Sequence, residues 1–184
     1  MSASTLSRPS SAEPRELATA LAYLRLWAVA GQALTVFIVD RGMRLDVPVT
    51  PLAGGIAVLA AFALFALWRL QQPWPVGTAE AVAHIAVDTA VLGWLLYFSG
   101  GATNPFVSLL LMPITLAASA LGFRAVAAVA GLSALTYAVL LRWYQPLPNL
   151  HDQHGDFGRH VIGMAVSFVI SAATLGYFIG RLAR

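Results

Sequence analysis

Gly100-Gly101-Ala102-Thr103-Asn104-Pro105-Phe106 stands between two long apolar runs. Its residue types describe a tight polar turn with hydrogen-bond donors to spare. The paired glycines can end a helix with φ > 0. Asn104 suits the cap of the next helix, and Pro105 suits its first position, where no N–H is needed. The N–H groups from Phe106 onward have no intrahelical partner, so they can donate to a carbonyl or an oxyanion. Thr103, Asn104 and Ser108 add side-chain donors. Tyr97, Phe98 and Phe106 flank the turn with rings able to stack on a flat ligand. The plain reading is a connector between two helices. The chemical reading is a site for a flat ring carrying carbonyl acceptors, such as a quinone head.

The surroundings of this turn are a membrane. The chain is 59% hydrophobic and 10% charged, with mean hydropathy +0.75, where a soluble domain carries roughly 25% charged residues. The fold class expected is all-α: a polytopic membrane protein with a six-helix transmembrane bundle. The net charge of +3 is small and dispersed, which argues against a nucleic-acid surface. All 11 basic residues are Arg, which reads as coding bias. Cysteine is absent, so no disulfide, thiolate metal site or thiol switch can form within these residues. Any redox sensing must use a bound small molecule.

Apolar runs of span length fall at about Ala18–Val39, Leu52–Leu70, Ala79–Ser99, Phe106–Gly122, Ala125–Trp143 and His160–Gly180. Residues 1–17 are Ser/Pro-rich and read as a disordered cytoplasmic tail, residues 18–180 as the bundle, and 181–184 as the start of a cytoplasmic linker. Pro113 lies inside the fourth span, where it removes the hydrogen bond to the Leu109 carbonyl and should kink the helix. Trp27, Trp68, Trp74 and Trp143 read as interfacial anchors. The sixth span carries small residues at Gly163, Ser167, Ser171 and at Ala172, Gly176, Gly180. That spacing suits close helix packing within the bundle or at a homodimer seam.

Three further groups can do chemistry. His84 and Asp88 share a face of the third span. A carboxylate near mid-bilayer must be neutral or paired, here with His84 or with Arg25 of the first span. The pair can accept a proton or relay a signal; the favoured reading is a structural interhelical bond. Arg25 and Gln32 read the same way, as polar glue. His151, Asp152, His154, Asp156 and His160 crowd the last outer loop. They have the donor types for zinc or copper, but a solvated loop is the simpler reading, and no metal site is assigned. Four histidines in all, one of them well inside a span, argue against a multi-haem cytochrome.

The heptad resembles the quinone-responsive turn of the RegB/PrrB/ActS family of redox-sensing membrane histidine kinases, with Leu95-Leu96-Tyr97-Phe98 before it. Leu24 to Gln32 is similar to the family's first membrane helix. His160-Val161-Ile162-Gly163-Met164, with Phe168-Val169 and Ser171-Ala172, resembles its last. The chain departs from that pattern at Ala165 and Ser167, where Trp and Asn are expected. The resemblance implies a membrane redox sensor that binds ubiquinone or another membrane quinone at Gly100, Gly101, Asn104, Pro105, Phe106 and Tyr97. It also implies a homodimer, a cytoplasmic kinase region after the last span and a cognate response regulator. These 184 residues contain no nucleotide-binding boxes, so they are expected to be the sensor module alone and not to phosphorylate anything. The alternative is a small six-helix transporter or an accessory membrane subunit. A transporter should show inverted repeats or broken helices around midplane polar sites, and no repeat is visible.

Arginine placement sets an orientation. With the N-terminus inside, Arg8, Arg15, Arg25, Arg69, Arg124, Arg181 and Arg184 are cytoplasmic, and Arg41, Arg44, Arg142 and Arg159 are outside. That is seven against four, which favours both termini in the cytoplasm of a bacterial inner membrane, with the heptad outside. Reporter fusions at Thr50, Ala102 and Asp152 are expected to report the outer face, and fusions at Pro75 and Arg184 the inner one. A cytoplasmic signal at Ala102 would reverse the orientation.

Overall fold

Hydrocarbon offers no partner to a peptide group, so a chain this apolar must satisfy its backbone within itself, and it does so as helices. The computed structural model describes residues 12–42 and 48–146. Within them the elements are α1 (Ala12–Phe37), α2 (Val49–Gln71), α3 (Thr78–Tyr97), α4 (Met112–Ala120) and α5 (Phe123–Arg142). A π turn, Ile38–Gly42, follows α1, and two 3-10 segments, Gly101–Thr103 and Pro105–Leu111, link α3 to α4. The segments from Pro14–Phe37, Val49–Gln71, Thr78–Tyr97 and Phe123–Arg142 are long and apolar enough to cross a bilayer. This is a multi-pass, all-helical membrane protein among its described residues. The expected sixth span, its small-residue faces and the His151–His160 cluster lie outside them.

Two spans differ from expectation. Helix α1 starts at Ala12, inside the segment read as a disordered tail. Pro14 falls in its first turn, where a missing N–H is harmless, and Leu17, Ala18, Leu21 and Ala22 are buried. Trp27 consequently lies near the middle of α1 and is 79% exposed, so it faces the surroundings at mid-helix and is not an end anchor. The fourth span is not one α-helix. Seven residues, Pro105–Leu111, are 3-10 and nine, Met112–Ala120, are α-helical. A 3-10 run of that length is uncommon. It lengthens the segment: rises of about 2.0 and 1.5 Å per residue carry these residues about 27 Å, close to the roughly 30 Å of a hydrocarbon core.

Pro113 explains the change of helix type. Its ring removes the donor that would reach the Leu109 carbonyl. The N–H of Met112, one residue earlier, takes that carbonyl in a 3-10 bond. The expected mid-helix kink is therefore a switch from 3-10 to α.

Helix α3 is the hub of the bundle and packs against α1, α2, α4 and α5. One apolar cluster joins Leu17 and Leu21 of α1, Ala81 and Ile85 of α3, Leu116 and Ala117 of α4 and Val129 of α5. A second, Leu96, Leu110 and Leu140, lies beneath the heptad. The outward faces carry large apolar groups such as Leu64, Phe65, Trp68, Leu135 and Leu141, as a lipid-facing surface should.

Each end of the bundle is tied by polar contacts. At one end, Arg15 donates to the Leu70, Gln72 and Trp74 carbonyls at 2.5, 3.1 and 3.2 Å, and Arg69 pairs with Glu80 at 2.9 Å. The Arg15 guanidinium takes up carbonyls left open at the end of α2 and just beyond it. At the other end, the Trp94 indole N–H donates to the Pro51 carbonyl at 2.8 Å, and the Gln145 N–H to the Tyr97 carbonyl at 2.8 Å. The heptad belongs to this second end.

The α3–α5 seam depends on a missing side chain. A Cβ at Gly93 would stand 2.7 Å from Thr136 Cγ2, whereas Gly131 has nothing within 4 Å. Gly93→Leu is expected to overpack the seam and cost about 1–3 kcal/mol. Gly131→Leu should be close to neutral. Thermal unfolding of both variants in detergent tests this, and equal losses would reject the seam.

Candidate functional site

The turn closes on itself through Asn104. Helix α3 stops at Tyr97, and Gly100 (φ 108°) and Gly101 (φ 60°) reverse the chain in left-handed conformations. The Thr103 hydroxyl donates to the Gly100 carbonyl at 2.7 Å. Asn104 then works in both directions. Its Oδ1 accepts from the Phe106 N–H at 2.8 Å, as a helix cap should. Its Nδ2 donates to the Ser99 carbonyl at 2.7 Å and to Ser99 Oγ at 2.8 Å. Pro105 occupies the first helical position, as expected.

This closure changes what the turn can offer a ligand. Both ends of the Asn104 amide are engaged. The N–H groups expected to be free are taken at Phe106 by Asn104 Oδ1 and at Val107 by the Asn104 carbonyl, 3.0 Å. Asn104 therefore positions the turn. The Tyr97 hydroxyl, by contrast, makes no hydrogen bond with a described residue. Tyr97, Ala102, Phe106 and Val107 are half-buried and pack on Leu96, Leu110 and Leu140. The structure thus brings Tyr97, the last residue of α3, and Phe106, second in the 3-10 segment, onto one apolar floor. Phe98 lies edge-on to Tyr97 with ring centres 4.9 Å apart.

Two residues of this region were not visible in sequence. Tyr144, just beyond α5, lies so close over Gly101 that a Cβ there would collide with its side chain and stand 3.0 Å from the Leu140 carbonyl. Gly101 is therefore required twice, for its positive φ and for this approach. Gln145 ties the same segment to Tyr97. Nothing in the heptad names the partner that covers it.

A second polar centre lies deep between α1, α2 and α3. Arg25 Nε and Nη2 hold Asp88 Oδ1 and Oδ2 at 2.6 and 2.7 Å, a bidentate pair. The Arg25 side chain is 1% exposed and that of Asp88 26%. Nη2 also reaches the His84 carbonyl at 3.5 Å. The guanidinium stacks on Phe62, 4.6 Å from the ring centre, and the His84 ring lies 5.2 Å from the same ring. Of the pairings open to Asp88, the structure takes Arg25. Gln32 does not join them; its Oε1 is buried without a partner among the described residues. Since Arg25 is spent inside the bundle, it drops out of the orientation count, which becomes six against four and keeps its sign. Among the described residues, no group of three His, Asp or Glu side chains could hold a metal ion.

Residues 13–183 match the profile of the PilS-like transmembrane domain, a six-span architecture. The chain belongs to that family. It is also 34% identical over 106 residues to the sensor histidine kinase RegB of Cereibacter sphaeroides, a match covering 56% of this chain and 22% of that protein. The chain thus spans a minor part of the length of this curated relative. No solved structure matches it. The resemblance of the PilS-like domain to the membrane sensor region of the RegB family, drawn from the heptad and the first and last spans, is borne out.

The Asn104 bonds revise what a substitution there should do. Asn104→Asp keeps an acceptor for the Phe106 N–H but turns a second oxygen toward the Ser99 carbonyl. It is expected to lower thermal stability at least as much as Asn104→Ala, for which loss of the cap alone costs about 0.5–2 kcal/mol. Wild-type melting of Asn104→Asp would contradict the Nδ2 bonds.

Proposed function

We propose that this domain is the membrane sensing part of a two-component sensor histidine kinase, responding to the redox state of a membrane quinone. The observation that carries the reading is the heptad turn itself, in a chain similar to RegB, with Tyr97 and Phe106 gathered on one apolar floor at its rim. The quinone ring lies against Phe106 and Tyr97, and the Tyr97 hydroxyl donates to one carbonyl. Gly100, Gly101, Asn104 and Pro105 hold the shape of the slot and do not contact the head through side-chain donors.

Signal transfer runs from the turn to the sixth span and on to a kinase region, which phosphorylates a cognate response regulator. The domain works as a homodimer in the inner membrane of a bacterium, with both termini cytoplasmic and the turn on the outer face. The closed hydrogen bonding of the turn supports this division of labour. A rigid turn moves as one body, so a ligand at its rim can displace α4 relative to α3 without melting either helix.

Binding of short-chain ubiquinone to the purified domain in nanodiscs tests the reading. Phe106→Ala and Tyr97→Phe are expected to weaken binding at least tenfold, with Tyr97→Phe leaving the melting temperature unchanged. Wild-type affinity in both variants would remove the turn from the binding site.

A further inference from the structure

The centre around Arg25 holds hydrogen-bonding capacity that its ion pair does not use. A guanidinium carries five N–H donors in a fixed fork. Asp88 engages one edge of it, through Nε and Nη2. Nη1, on the other edge, is buried and meets no acceptor among the described residues. The same is true of His84 Nδ1, on a side chain 3% exposed. The guanidinium and the imidazole that carry these nitrogens both lie against the Phe62 ring. In a bilayer an unmet donor on a charged group cannot fall back on bulk water, so this arrangement is far more costly than on a soluble surface. The heptad is the reverse case, since its Asn104 donors are all engaged.

We propose that the Arg25–His84–Phe62 centre is a second binding site, for the carbonyl oxygen of a neutral, lipid-soluble ring compound. The oxygen accepts from Arg25 Nη1 and from His84 Nδ1 when that nitrogen carries the proton, and the ring lies against Phe62. Neutrality follows from charge. Asp88 already cancels Arg25, so an anion would bring an unbalanced charge into the bundle and a cation would be repelled by the guanidinium. Asp88, at 26% exposure, lies on the open flank of the centre, across the guanidinium from Nη1. Nη1 is sealed in this structure, so entry requires Phe62 of α2 to move away from α1. Occupancy is thereby coupled to the α1–α2 contact. This site does not depend on the heptad reading and is tested apart from it.

The experiment uses the whole domain in nanodiscs with a photoreactive short-chain quinone as the probe, followed by peptide mapping. Labelling of the peptides bearing Phe62 or His84, competed by unlabelled quinone, is the expected result. Competed labelling confined to residues 97–107 would overturn the central site and leave the heptad reading standing. No competed labelling anywhere would overturn both. A second measurement is affinity in Arg25→Lys, which keeps a cation for Asp88 but has no second edge. It is expected to bind the probe at least tenfold more weakly while melting as wild type does, and unchanged affinity would overturn the proposal. If Arg25→Lys melts lower, the wild-type labelling map decides.

Discussion

Everything in this bundle answers to one constraint: inside hydrocarbon a polar group must find its partner within the protein. Among the described residues, the four helices of span length meet it by their own ladders. The interesting residues are those that meet it where a ladder fails. Arg15 reaches across from α1 to three carbonyls around the end of α2. Met112 takes the Leu109 carbonyl that Pro113 cannot serve. Asn104 closes the turn between α3 and α4 by accepting from one strand of it and donating to the other. Among the described residues it is not met at Gln32 Oε1, Arg69 Nη1, Ser133 Oγ, Arg25 Nη1 and His84 Nδ1; the last two belong to side chains that lie against one ring, Phe62, and it is that juxtaposition from which a ligand is proposed.

Packing follows from the same absence of water. Apolar burial drives little association between helices already in lipid, so close contact has to come from shape. Gly93 admits Thr136. Gly55 admits Trp94, whose Cδ1 would be 2.8 Å from a Cβ there. Both contacts fall on the C-terminal half of α3 with the heptad at its tip. The turn is therefore braced by α2 and α5 as well as by its own hydrogen bonds, and the Gln145–Tyr97 bond fixes it to the end of α5. Among the described helices, α3 connects the turn to α1, α2, α4 and α5. The ion pair of Arg25 and Asp88 connects α3 to α1 about three turns deeper, which places two polar stations on one rigid element.

The functional consequence is a separation between shape and recognition. Asn104 draws attention in sequence because it is polar in an apolar context, yet the structure employs it as a brace. On the proposed reading, recognition at the turn falls to Tyr97 and Phe106, aromatic residues that look like ordinary core. Membership of the PilS-like family concerns residues 13–183 and the similarity to RegB 106 residues of the chain; the assignment of roles to single residues comes from the bonds each side chain makes.

Local chemistry was legible in the sequence wherever a residue acts on its own neighbours. Span positions follow from run length and breakers, and α2, α3 and α5 lie within a few residues of them. The glycine reversal, the Asn104 cap and Pro105 at the first position are likewise local, and all three hold. The His84–Asp88 spacing and the need for a mid-bilayer partner were visible too. The choice of Arg25 over His84 was not, because it depends on how α1 and α3 are set against each other. The same holds for Asn104 Nδ2 turning back to Ser99, for Tyr144 over Gly101, and for the half 3-10 character of the fourth span. Sequence specifies which groups need partners, since that is a property of residue type and of the lipid around it. Only the tertiary structure decides which partners they get, because a hydrogen bond is set by distances of tenths of an ångström between elements far apart in the chain.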